Sequence, residues 1–184
     1  MRIFGIDPGS IRTGYGCIET DGSRHRLITA GAITSRAGTE LPDRLARIHS
    51  ELTRLIAEAA PAAVVVENLF HAKNVRSALT LGHARGVAVL AAVQAGVAVV
   101  EYTPAEIKLA VVGHGRAEKT QVQRMIMLLL GLDTAPTPLD ASDALAVAVC
   151  HAHACGGRAT PAPARVPLRQ RSWRHVNPAQ LARR

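Results

Sequence analysis

The chain has 184 residues, 48% hydrophobic but only 3% aromatic, so it has room for one ordinary core built from Ala, Val, Leu and Ile rather than from rings. No stretch reaches the ~18 unbroken apolar residues of a membrane span, the amino terminus lacks a secretory pattern, and Cys17, Cys150 and Cys155 contain no C-x-x-C; a membrane protein and a disulfide scaffold are excluded, and a reduced, cytoplasmic setting is expected. The net charge of +8 looks like a nucleic-acid signature, but seven arginines and no acid lie in 156–184, which leaves 15 basic and 14 acidic residues in 1–155.

Residues 2–7, 14–20 and 24–34 read as three consecutive strands, the last two joined around the turn pair Asp21-Gly22, which predicts an antiparallel meander. An amphipathic helix follows Pro42, with Leu45, Ile48, Leu52, Leu55, Ile56 and Ala59 at helical spacing. Strand four spans 62–67. A helix over 75–95 then carries Leu79, Gly82, Gly86, Ala88 and Ala92, small enough for close approach; it is a candidate dimer interface or simply a face packed on the sheet. Strand five is 97–102. Thr103-Pro104-Ala105-Glu106 combines a capping box with proline at the first helical position, and Gly113 ends that helix. Helices over 118–130 and 140–155 complete a body of 1–155, and the Gly-, Pro- and Arg-rich 156–184, with Trp173 as its one anchor, reads as a disordered basic tail. Right-handed crossovers place strands four and five parallel to strand one on its far side. The expected fold class is therefore α/β with a ribonuclease H-like mixed five-stranded sheet, a three-strand antiparallel meander plus two parallel strands, flanked by helices.

Four carboxylates mark ends of these elements. Asp7 closes strand one, Glu67 closes the aliphatic strand 62–67, and Asp140 and Asp143 open the last helix, three apart and hence on one face. Strand carboxyl ends are where open α/β sheets place their sites, and converging like charges repel unless a cation lies between them. Oxygen donors without a competing His/Cys set suit Mg²⁺, with Mn²⁺ as the alternative. Two such ions about 4 Å apart stabilise the attacking and leaving oxygens of a phosphodiester displacement. Water as nucleophile would leave a 5′-phosphate and a 3′-hydroxyl. Taken singly, Asp7 before Pro8-Gly9 could start a turn, and Asp140 or Asp143 could cap a helix. Glu67 has no such duty.

Two other clusters compete for attention. Cys150-His151-Ala152-His153-Ala154-Cys155 suggests a metal, yet on a helix His151 and Cys155 share a face that His153 does not. Asp7-Pro8-Gly9-Ser10 with Gly14 and Gly16 is similar to the phosphate loop of actin-like ATPases, whose second domain this chain has no room for.

Ile6-Asp7-Pro8-Gly9, Val66-Glu67-Asn68-Leu69-Phe70, Ala72-Lys73-Asn74, Gly82-His83-Ala84-Arg85-Gly86, Val112-Gly113-His114-Gly115, Ala117-Glu118-Lys119 and Asp140-Ala141-Ser142-Asp143-Ala144-Leu145 occur in that order. Together they resemble the RuvC Holliday-junction resolvases over residues 1 to about 153. The resemblance implies a homodimer that resolves four-way DNA junctions in recombination and repair by paired symmetric nicks, and a branch-migration helicase complex as partner. It also implies that Asp7, Glu67, Asp140 and Asp143 bind metal, that Lys108 and Lys119 stand near the scissile phosphate, and that Phe70 stacks on bases opened at the crossover. Lys73, Asn74 and Arg76 are then phosphate contacts. Other readings are a non-catalytic junction-binding module, an actin-like nucleotide-hydrolysing enzyme, and the related small nuclease family acting on RNA precursors. The chain length and Asn68-Leu69-Phe70 argue against the last.

Overall fold

The computed structural model describes residues 1–68 and 75–156. Its elements are β1 (Arg2–Asp7), β2 (Arg12–Thr20), β3 (His25–Thr34), α1 (Leu41–Ala59), β4 (Ala63–Glu67), α2 (Val75–Gln94), β5 (Ala98–Tyr102), α3 (Pro104–Val112), α4 (Lys119–Leu130) and α5 (Leu139–Cys155). The sheet runs β3-β2-β1-β4-β5, antiparallel through β2 and parallel from β1 to β5. This is the mixed order that the spacing of strands and helices predicts.

Local chemistry sets the element ends. Asp21 Oδ1 accepts from the Ser23 and Arg24 amides and Gly22 takes a φ of 104°, which closes the β2–β3 hairpin. Thr103 and Glu106 form the expected reciprocal cap on α3, and Gly113 and Gly131 end α3 and α4 in the left-handed region. β2 begins two residues before the predicted Gly14, because Arg12 and Thr13 pair with Thr34 and Ile33 and extend the ladder with β3.

Two cores lie on opposite faces of the sheet. Phe4, Ile6, Val64 and Val66 pack beneath α1 and α2, while Ile3 and Val65 face α5, α3 and α4. Alternation along the strands then assigns Asp7 and Glu67, two residues beyond Gly5 and Val65, to the α5 face. α5 lies almost flat on that face, with every residue from Ala144 to Ala152 buried.

The approach of α5 depends on missing side chains. A Cβ on Gly5 would collide with the Ala144 carbonyl and sit 2.9 Å from the Ala148 amide, and one on Gly16 would lie 2.7 Å from Leu145 Cδ2. At Gly14 it would strike the Asp140 carbonyl. Gly14 and Gly16, which at first sight suggest a phosphate loop, are instead the floor on which α5 rests. On α2 the close approach is made by Ala84, Ala88, Ala91 and Ala92, all fully buried. Gly82 and Gly86 face open space, so of the two readings of this helix they do not serve the packing on the sheet.

The Gly5→Ala variant must lift α5 or bend β1. We expect it to lose about 1–3 kcal/mol, the usual cost of overpacking, as a lower urea midpoint at fixed protein concentration. An unchanged midpoint would mean that the helix does not rest on that glycine.

Candidate active site

At the carboxyl edge of the sheet, Asp7, Glu67 and Asp143 line one cavity of about 300 Å³ with Lys108, Lys119, Pro104 and Ile107. β1 and β4 are hydrogen-bonded neighbours, which brings Asp7 beside Glu67. The amino-terminal part of α5, held against β1 and β2 by the glycine floor, delivers Asp143 from above. The capped start of α3 contributes Lys108, and the first residue of α4 is Lys119.

The acids confront one another. Burial is the main reason that Asp7 is pushed up from an ordinary 3.8 to about 9, and the charge of Glu67, a hydrogen bond with it and the charge of Asp143 add to the rise. Glu67 is also raised, chiefly by burial, while its hydrogen bond with Asp7 acts in the opposite direction. Two carboxyls this close favour one shared proton over two full charges. Lys119 Nζ donates to Asp143 Oδ2 at 2.7 Å, and this hydrogen bond holds the ammonium above its ordinary value. One such proton and the Lys119 ammonium offset two of the three carboxylates, and Lys108 lines the same cavity.

Asp140 does not join them. Three residues on a helix differ by about 60° in azimuth, and that turn carries Asp140 over the β2 end, where its Oδ2 meets Arg12 Nη1 at 3.3 Å. The sequence reasoning missed Arg12; the signal would have been its register, two residues before Gly14, which pairs with Asp7. Arg76 lies exposed on the first turn of α2, outside the cavity lining. The expectations for Phe70, Lys73 and Asn74, and for the tail with Trp173, fall outside the described residues. The Cys/His run on α5 is not a metal cluster. His151 Nδ1 meets the Tyr102 hydroxyl at 3.0 Å, while His153 Nδ1 donates to the Ala110 carbonyl at 2.9 Å on another side.

The donor set of the cavity suits a small divalent cation. Its carboxylates supply only hard oxygen, and burial beside two other acids pushes Asp7 up, a shift that a bound cation would reverse. As the side chains lie, Asp143 is turned to Lys119, and no three His, Cys, Asp or Glu side chains among the described residues are grouped around one point. A shared ion therefore requires Asp7 to release its proton and Asp143 to leave Lys119.

A mixed β3-β2-β1-β4-β5 sheet with acids gathered at the ends of β1 and β4 and on the helix across them defines a ribonuclease H-like protein with a carboxylate centre. A family model described as crossover junction endodeoxyribonuclease RuvC matches residues 3–151. The RuvC of Syntrophotalea carbinolica is 57% identical over 153 residues, 83% of this chain and 94% of that protein. That of Trichlorobacter lovleyi is 50% identical over 179 residues, 97% of this chain and 100% of that protein. A solved structure of Thermus thermophilus RuvC in complex with Holliday junction substrate superposes with a TM-score of 0.81 at 35% identity, covering 85% of this chain and 95% of that one. The chain belongs to the crossover junction endodeoxyribonuclease RuvC family.

An acid whose pKa is higher folded than unfolded stabilises the fold while it is protonated. For Asp7 that contribution is complete below about pH 4 and is lost as pH climbs toward 9. In chelator, the Asp7→Asn variant is therefore expected to match the parent near pH 4 and to melt several degrees higher at pH 8. A melting difference that does not grow with pH would refute the confrontation of charges.

Proposed function

We propose that this protein is a divalent-metal-dependent endodeoxyribonuclease that resolves four-way DNA junctions, and that Asp7, Glu67 and Asp143 are the core of its catalytic centre. The observation that carries the reading is the half-buried carboxylate cluster, with Asp7 pushed up to about 9, at the sheet edge of a chain that belongs to the RuvC family. Asp7, Glu67 and Asp143 would hold the metal. Asp140 is the fourth ligand in this reading, reached by release from Arg12. Bound there, Mg²⁺ or Mn²⁺, two ions per site by analogy with paired-carboxylate nucleases, supplies an activated water and neutralises charge on the phosphate oxygens.

The chain's own groups do the rest. Glu67 and Asp7 are set in a partly closed cavity where Coulomb interactions are strong. Lys119, released from Asp143, and Lys108 from α3 bring positive charge to the pentavalent phosphate as it forms, and this favours the transition state over the ground state. Phe70, Lys73, Asn74 and Arg76 are the proposed junction contacts, by base stacking and phosphate binding.

Paired nicks need two centres. α2 carries Leu79 (61% exposed), Leu90 (47%) and Val93 (58%), with Gly82 and Gly86 open to solvent between them. Leu79, Gly86 and Val93 are seven residues apart, so they form one stripe along the helix. A second copy seated on this stripe would relate two cavities by a twofold axis, as a near-twofold junction demands. No helix among the described residues is long and apolar enough to cross a membrane. A cytoplasmic site of action and a branch-migration helicase partner are part of the proposal through family membership.

A labelled four-way junction incubated with Mg²⁺ should receive paired nicks near the crossover, and a matched linear duplex none. The Asp7→Asn protein should bind without cutting, and chelator should abolish cutting. Lys119→Ala should slow single-turnover cleavage about a hundredfold or more, the scale of losing one transition-state donor. Equal cleavage of junction and duplex would sink the junction assignment, and cleavage in chelator the metal mechanism. For the dimer, Leu90→Glu should sediment as a monomer and turn paired cuts into single nicks; a dimeric Leu90→Glu protein would discard the stripe.

A further inference from the structure

The connection between β3 and α1 carries polar groups for which the acid cavity has no use. Ser35, just past the end of β3, is only 8% exposed, yet its Oγ has no hydrogen-bond partner. Arg44 Nε, in the first turn of α1, is likewise buried without a partner but does not line the cavity beside Ser35. The N-cap of α1, Glu40, makes no side-chain bond to the first turn. Beside Ser35 opens a cavity of about 490 Å³ lined by Ser35, Arg36, Thr39, Asp43, Arg47 and Ser50.

Two guanidinium groups, three hydroxyls and one carboxylate make a lining that is rich in donors and carries a formal charge of +1. Among the described residues neither Arg36 nor Arg47 is engaged in an ion pair, although Asp43 is one turn from Arg47 on the same helix. Two guanidinium forks without a carboxylate partner are a ready match for the paired oxygens of a phosphate.

The cavity's place in the fold narrows the ligand. β3 is parallel to β1, since both run antiparallel to β2, so Ser35 follows the same sheet edge that carries Asp7. The Ser35 amide donates to the Ile11 carbonyl at 2.9 Å, which ties this connection to the loop after Asp7. Two strand spacings, about 10 Å, separate β3 from β1. Ile33 packs in the α1 core and Ser35 shares its parity, so the cavity opens on the face opposite the acids. A phosphate here is not the one being cut.

We propose that this cavity anchors a backbone phosphodiester of a junction arm flanking the scissile site. Arg36 and Arg47 supply the charge, and Ser35 and Thr39 supply hydroxyl donors. The inference rests on the junction-nuclease reading above, and it adds a contact away from the metal centre that orients one arm across the sheet edge.

The test measures the Kd of the full-length protein for a labelled four-way junction in chelator, across a series of salt concentrations. Arg36→Ala/Arg47→Ala should weaken binding and lower the slope of log K against log salt by about one, as expected for one lost phosphate contact. Asp43→Asn should change affinity in the opposite direction and tighten binding; a misfolded variant cannot imitate that gain. Weaker binding by Asp43→Asn, or a slope unmoved by the double arginine variant, overturns the proposal. Inorganic phosphate titrated alone separates the sources: saturation at micromolar phosphate that depends on Arg47 would reassign the cavity to a free anion and reject the DNA contact. If the parent protein itself does not prefer the junction to linear duplex, the failure belongs to the functional reading and not to this site.

Discussion

Like charge held at close quarters is the constraint on which this molecule turns. Asp7 and Glu67 arrive together because β1 and β4 are adjacent parallel strands with matching side-chain parity. Asp143 joins them because α5 rests on Gly5, Gly14 and Gly16, where any side chain would push it away. Hydrophobic burial along α5 supplies the force that keeps the helix down, and part of that stabilisation offsets the repulsion beneath its amino-terminal part. The fold thus holds its carboxylates in an arrangement that a small cation would relieve, which is a common way for an active site to be organised in advance of its metal.

The basic residues are the counterpart of that constraint. Lys119 bonds Asp143, Arg12 bonds Asp140, and both pairs are at least partly open to solvent, so their net worth to stability is small. Pairs of this kind exchange partners easily. Under the proposed function the same lysine that steadies an acid in the free protein turns to the phosphate when substrate and metal arrive. The side chains need not be rebuilt for this, only repaired to new partners.

Most of the fold was legible in the sequence because its signals were local and consistent. The Asp21-Gly22 hairpin, the Thr103–Glu106 capping box and the spacing of apolar residues on α1 each act within a few residues, and they combined with right-handed crossovers to give the strand order. Glu67 was conspicuous because an acid at the end of an aliphatic strand has no local duty. What could not be read were relations across the sheet. Asp140 and Asp143 share a helical face, yet they part on either side of a sheet edge whose position depends on β2 register. Arg12 and the roles of Gly14 and Gly16 became visible only when that register was in place, and the direction faced by Gly82 and Gly86 required the docking angle of α2.

If Asp7 holds a proton that a metal must displace, binding of Mn²⁺ near neutral pH releases that proton to the buffer. Calorimetric titration of the DNA-free protein in two buffers of different ionisation enthalpy counts it directly. The account predicts release of about one proton per site on metal binding, and its loss together with most of the affinity in Asp7→Asn. A heat independent of buffer, or Asp7→Asn binding Mn²⁺ like the parent, would contradict it.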